Sequence, residues 1–201
     1  MCDNAKVCGN VKVYDCAEVC DNAKVCGNVK VYDCAKVWGN AKVYDYACVG
    51  GNAEVSGNAK VYDCAKVYDC AKVYGSARLS YGELTKDIKE DLVQYIACSL
   101  NVYPVNNKYI LYKRVNKIED GVYASCWDED FIYRDGEIVE VVNYNPDFLE
   151  SCVSGIHIST PFYWDEGDTL IAVEVDLNDV ITCMEGKIRA KKVKVLGEIK
   201  F

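Results

Sequence analysis

The chain has a single histidine, His157, and the residues around it carry the most chemical capacity. Ser159 and Thr160 lie on or just after the same predicted strand, with Tyr163 and Trp164 close behind. Glu174 and Asp176 alternate on a later predicted strand and so face the same way, and Arg114 lies on an earlier one. A cation, a hydroxyl pair, two aromatic rings and two carboxylates suit a pocket that holds a small ligand or a peptide without catalysis. A hydrogen-bonded histidine packed among aromatic rings accounts for the same residues.

The thirteen cysteines carry less. No Cys-x-x-Cys pair occurs, and nine cysteines occupy repeat positions that Tyr, Asn and Ser fill elsewhere. That usage fits reduced thiols acting as small apolar fillers, so neither a metal site nor a cofactor is expected.

None of the candidate residues falls in the first eighty positions, which are built from a hexapeptide. Ala or Val recurs every sixth residue from Ala5 to Ala77, and two residues after each comes Val, or Leu79 in the last unit. Gly or Asp follows two further on in every unit but that one. In an extended segment Ala and Val face one side, while Gly and Asp tolerate the backbone angles of a corner. Each unit therefore reads as one short strand plus one corner.

The Val-x-Gly-Asn-Ala-Lys pattern resembles the hexapeptide repeat of left-handed parallel β-helices. The resemblance implies three units per triangular coil, with residues 18 apart stacked and the left hand taken from the family. Thirteen units then make about four coils, ~20 Å of prism at the spacing of neighbouring strands. The columns agree: Asn4, Asn22, Asn40 and Asn58 stack, as do Tyr14, Tyr32 and Tyr68 around Gly50, and Lys6, Lys24, Lys42 and Lys60. Such ladders are expected to be structural. Acyltransferases and zinc carbonic anhydrases of this family use histidines, and the repeats contain none. Ten Lys+Arg against nine Asp+Glu over residues 1–80 argue against nucleic-acid binding. The repeat is expected to be a scaffold, with its first coil uncovered and available for self-association.

The period stops at Tyr81-Gly82. Residues 85–100 read as an amphipathic helix with Thr85 as N-cap, a lid for the last coil. Strands are predicted at Tyr109–Val115, Gly121–Cys126, Phe131–Arg134, Glu137–Val142, Gly155–Ser159, Thr169–Leu177 and Lys187–Ile199. Asp135-Gly136 is expected to be a hairpin turn, and Asn145–Glu150 a short helix. The fold class expected is mainly β: a left-handed parallel β-helix over 1–82, a capping helix and linker over 83–104, and a small α+β domain over 105–201.

Four stretches of that domain, Leu111–Val115, Cys152–His157, Ala172–Val175 and Gly186–Lys191, resemble the uncharacterised domain that follows pentapeptide or hexapeptide repeats in phage and bacterial proteins. The resemblance implies a phage or mobile-element origin and no activity. Arg114, the Ser159-Thr160 pair and Glu174 on successive strands resemble ADP-ribosyltransferases, implying a nucleotide-binding or transferase centre at His157 and Glu174. Pro161 departs from that pattern, as does the spacing of fourteen positions from Thr160 to Glu174.

Residues 81–201 carry thirteen Lys+Arg and 22 Asp+Glu, a net of −9. The acids cluster as Asp128-Glu129-Asp130 and as Asp165-Glu166 with Asp168. This face is expected to repel DNA and RNA and to dock on a protein with a basic surface. The leading expectation is a non-enzymatic protein-binding module acting on a host factor. The alternatives are the ADP-ribosyltransferase-like or nucleotide-binding domain and a structural phage assembly protein. With no signal-like start and no long apolar run, a cytoplasmic location is expected, the host cytoplasm if phage-encoded.

Overall fold

A computed structural model describes residues 4–200 of the chain. The fold is mainly β: a parallel β-solenoid of about four turns, one short helix and an antiparallel near-barrel sheet. The chain divides into two compact units, residues 1–102 with 149–151 and 183–186, and residues 103–148 with 152–182 and 187–201.

The rungs of the first unit are β1 (Lys6–Gly9), β2 (Lys12–Val13), β3 (Glu18–Val19), β4 (Lys24–Gly27), β5 (Lys30–Val31), β6 (Lys36–Val37), β7 (Lys42–Val43), β8 (Cys48–Val49), β9 (Glu54–Val55), β10 (Lys60–Val61), β11 (Lys66–Val67), β12 (Lys72–Val73), β13 (Arg78–Leu79) and β14 (Glu83–Leu84). They form three parallel sheets, ordered β1-β4-β7-β10-β13, β2-β5-β8-β11-β14 and β3-β6-β9-β12. Lys6 pairs with Lys24, Lys24 with Lys42 and Lys60 with Arg78, so the 18-residue register is real. The last rung arrives one residue early, pairing Lys66 with Glu83, and extends the solenoid past the end of the repeat.

The repeat's residue types explain the coil. From Val19 and Ala23 onward its Ala and Val side chains are buried, while most of the Lys between them point outward. Corners at Asp15, Asp33, Asp63 and Gly39 all have positive φ, a conformation open to Gly and tolerated by Asp. The corner aspartates also bond along the stack: Asp21 Oδ2 accepts from Gly39 N at 2.9 Å and Asp33 Oδ2 from Gly51 N at 3.0 Å. Asn4 donates to Asn22 and Asn40 to Asn58, both at 3.4 Å, so the amide column is a hydrogen-bonded ladder.

Tyr14 and Tyr32 stack at 5.4 Å between centroids, and Tyr44 and Tyr62 at 5.2 Å. Below that second pair, in the same column, Cys8 and Cys26 form a disulfide with Cα atoms 4.7 Å apart. The expectation of reduced thiols is corrected at this pair alone, where one coil of separation falls within disulfide reach; Cys16 and Cys34, also one coil apart, are free. Ten other cysteines are free, and Cys2 lies outside the described residues.

Helix α1 spans Leu92–Leu100, not 85–100. Its N-cap is Asp91, whose carboxylate accepts from Gln94 N at 2.9 Å. Asp87 ties up the amides of Lys89 and Glu90, and Thr85 bonds Gln94 Oε1, so the preceding residues turn instead of starting the helix. The helix packs on β13 and β14, with Tyr95, Ile96 and Leu100 buried and Cys98 O accepting from Ser80 N and Tyr81 N. It covers the last coil as expected.

The second unit contains β15 (Lys108–Glu119), β16 (Val122–Ser125), β17 (Ile132–Arg134), β18 (Ile138–Glu140), β19 (Ile156–Ile158) and β20 (Thr169–Asp176). A 3-10 turn over Leu177–Asp179 leads to β21 (Val180–Met184), β22 (Lys187–Ala190) and β23 (Lys192–Glu198). The main sheet is ordered β17-β16-β15-β20-β23-β18, and a smaller one β19-β22-β21. Asp135-Gly136 does not make a hairpin. It joins the two opposite edges of the main sheet, so the sheet curls nearly shut.

The expected α+β character is also corrected, since the described residues of this unit contain no α-helix. Asn145–Glu150 cannot wind into one, because Arg189 takes the carbonyls of Asn145 and Asp147. The run 187–199 is two strands, and β21 was not foreseen.

Candidate functional site

The site starts from an exception on β15. Tyr109, Leu111 and Val115 are buried at alternate positions, and Lys113 occupies the same series with only 7% of its surface exposed. Burying an ammonium group is costly, so its surroundings matter. Lys113 Nζ donates to the carbonyl of His157 at 3.3 Å and lies 5.7 Å from the ring centres of both Tyr133 and Trp164. No carboxylate pairs with it among the described residues. Burial lowers its pKa to about 8, opposed only by the charge of a Cys126 thiolate.

Lys113 lines a cavity of about 640 Å³ within this unit. Arg114 joins it from β15, Cys126 and Asp128 from beyond β16, Tyr133 from β17, His157 from β19, Trp164 and Glu166 from the loop before β20, and Lys187 from β22. Lys187 is 8% exposed; its Nζ lies 3.2 Å from Cys152 Sγ and 5.9 Å from the centre of the Tyr163 ring. Tyr163 meets Trp164 edge-on at 4.5 Å. Burial pushes up the pKa of both Cys126 and Tyr133, so each favours its protonated form. Arg114 Nε, on the face of β15 opposite Lys113, is buried without a hydrogen-bond partner among the described residues. Gly167 lets the Trp164–Asp168 loop approach: a Cβ there would sit 2.8 Å from Cys126 Sγ and 2.9 Å from Val115 O.

Arg114, His157 and Trp164, singled out from sequence, therefore meet at one cavity, with Tyr163 behind Trp164. Ser159 is fully buried and exchanges backbone hydrogen bonds with Tyr112, and the Thr160 carbonyl accepts from Tyr163 N. Neither lines the cavity. Glu174 and Asp176 do not line it either. Glu174 bonds Lys108 Nζ at 2.7 Å, and Asp176 accepts from Asn107 and Asn178. Glu174 pairs with Ile110, four residues along β15 from Arg114, or ~13 Å of extended chain.

Among the acids, Asp128 and Glu166 reach the cavity, while Glu129, Asp130 and Asp165 are exposed. Asp168 is engaged in structure: it accepts from Lys117 N at 2.9 Å and from Thr169, which holds its carboxyl below the usual range. Lys113, Cys126, Tyr133 and Lys187 were missed from sequence. Only Lys113 left a signal there, as a charge inside an alternating apolar strand.

Among the described residues, no group of three or more His, Cys, Asp or Glu is placed to hold a metal ion, and no helix is long and apolar enough to cross a membrane. Residues 105–168 match the family described as "Family of unknown function (DUF5758)". That stretch supplies every cavity residue named above except Lys187. No curated protein and no solved structure matches the chain.

Proposed function

We propose that the protein is a non-enzymatic binding module in which a left-handed hexapeptide-repeat stem carries a unit that recognises an anionic group. The observation behind this reading is the cavity itself. It combines the ammonium groups of Lys113 and Lys187 with aromatic walls at Tyr133 and Trp164. Apolar walls with a few convergent charges suit a ligand with a flat apolar body and one negative group. An acidic side chain of a partner peptide presents the same negative group.

The test is a melting-temperature titration with para-hydroxymethylbenzoate and inorganic phosphate against the wild type and Lys187→Met. A saturable rise that Lys187→Met weakens roughly tenfold or more, the loss of a hydrogen bond to a charged group, supports the reading. Absence of any saturable shift in the wild type rejects it.

A second reading keeps a protein partner with a basic surface, in the phage or mobile-element setting that the resemblance implies. It is favoured by Trp127, 77% exposed and followed directly by exposed Asp128, Glu129 and Asp130. An aromatic anchor beside a run of acids has the makeup of a docking edge. Salt-sensitive capture of one partner by the wild type, lost on Trp127→Ala with Glu129→Gln and Asp130→Asn, would support it. Capture unaffected by those changes would reject it.

A further inference from the structure

We propose that Lys113 is the nucleophile of a covalent capture site, forming an imine with a carbonyl compound that carries a negative group. The inference rests on the anion-binding reading of the same cavity and deepens it by naming the ligand class.

The geometry supplies what an imine-forming amine needs. Lys113 is 7% exposed yet lines a cavity of about 640 Å³, so its Nζ is shielded from bulk water and open to a ligand. It is held from one side only, by the His157 carbonyl at 3.3 Å, and its other neighbours are the faces of Tyr133 and Trp164. Other lysines whose ammonium groups lie near acids, Lys108 beside Glu174 and Lys117 beside Asp120 and Glu198, are locked in the charged form. Among the described residues Lys113 has no such partner. With its pKa lowered to about 8, roughly a tenth of it is the free amine near neutrality, where an unperturbed lysine has well under a thousandth.

The reaction balances without any other reagent. The Nζ lone pair adds to the carbonyl carbon while the C=O π pair moves to oxygen. A proton passes from nitrogen to that oxygen to give a carbinolamine. The hydroxyl then leaves with a second proton as water, and the C=N bond forms in its place. Lys187, on the wall of the same cavity, is placed for the ligand's negative group. Asp128 and Glu166 on the rim disfavour a second negative charge there. The ligand class is therefore a monoanionic aldehyde or ketone with a flat apolar body.

The test uses the full chain with para-carboxybenzaldehyde and cyanoborohydride near neutral pH, followed by intact mass measurement and peptide mapping. The expected result is one reduced adduct, on Lys113, forming roughly tenfold faster than with uncharged benzaldehyde, about the effect of one well-placed charge contact. Lys113→Arg should lose this adduct while its circular dichroism matches the wild type. Lys113→Gln gives the same reading if the arginine fails to fold.

Labelling spread over exposed lysines with Lys113 unmodified overturns the proposal. Equal rates for the two aldehydes overturn the anionic class. Competition between para-carboxybenzaldehyde and para-hydroxymethylbenzoate with no adduct at Lys113 rejects the imine and leaves the anion-binding reading standing. An adduct at Lys113 with no melting shift from the alcohol rejects that reading and keeps the nucleophile.

Discussion

Gly50 and Tyr32 fit one another across a single coil: a Cβ at Gly50 would fall 2.5 Å from Cζ of Tyr32 and 2.9 Å from its hydroxyl. The ring of Tyr32 leans into that space. It stacks on Tyr14 on one side and meets Tyr68, two coils on, at 6.2 Å with a tilt of 58°. The gap in the tyrosine column is thus filled by its neighbour. Gly50→Ala should force the ring outward and destabilise the solenoid by about 1–2 kcal/mol, a typical cost of overpacking. Chemical denaturation measures this. In Tyr32→Ser the same change should be nearly neutral, so a double-mutant cycle reports a coupling of about 1 kcal/mol.

The buried amine of Lys113 makes stability depend on pH in a defined direction. Its folded pKa of about 8 lies below the ordinary lysine value. Below about pH 8 both states are protonated, and the fold carries the full penalty of roughly 3 kcal/mol implied by the shift. Between about pH 8 and 10 only the unfolded chain keeps the proton, so stability rises. Above that the penalty is gone. Lys113→Met should therefore stabilise the second unit by about 1–3 kcal/mol near neutrality, with the gain shrinking as pH rises. Cys98 and Cys183, in the other unit, have pKa values pushed by burial to about 11 and 12, and they weaken the fold as pH rises. The difference between wild type and variant in urea unfolding isolates the lysine.

Those two cases mark where sequence reasoning reached and where it stopped. Ala23, Val25, Gly27 and their repeats were legible because six residues decide a rung and its corner, and a column follows from counting. Lys113 was visible only as a fault in the alternation of Tyr109, Leu111 and Val115. Lys187 left no trace, since Lys187, Ile188, Arg189 and Ala190 are all buried and no alternation exists to break. Glu174 was misplaced for another reason. Strand β20 was read correctly, but its register on β15, which sets Glu174 beside Lys108, depends on residues some sixty positions apart. Near-barrel closure depends on the same long-range pairing, so Asp135-Gly136 read as a local hairpin.

Asp91 is the residue that starts α1, through its bond to Gln94 N. Asp91→Ala should cost about 1 kcal/mol, the usual loss of a helix N-cap, and Thr85→Val, which removes one bond to Gln94 Oε1, should cost less. Thermal melts of the two variants decide between the caps. A larger loss at Thr85 would restore the longer helix expected from sequence.

Arg189 holds the far wall of the cavity. It is 1% exposed, and its guanidinium donates to the carbonyls of Asn145, Asp147 and Ser154, while Gly155 leaves room for its stem. A lysine has a single ammonium in place of the planar fork and cannot reach three divergent carbonyls at once. Arg189→Lys should therefore leave at least one of these part-buried bonds unmade and destabilise the unit by about 1–3 kcal/mol. Because Ser154 and Gly155 also line the cavity, the effect should extend beyond stability. Limited proteolysis should cut the variant between Asn145 and Gly155 under conditions that spare the wild type, and labelling of Lys113 by para-carboxybenzaldehyde should slow by roughly tenfold. Unchanged cleavage with unchanged labelling would mean that the loop holds its shape without the arginine.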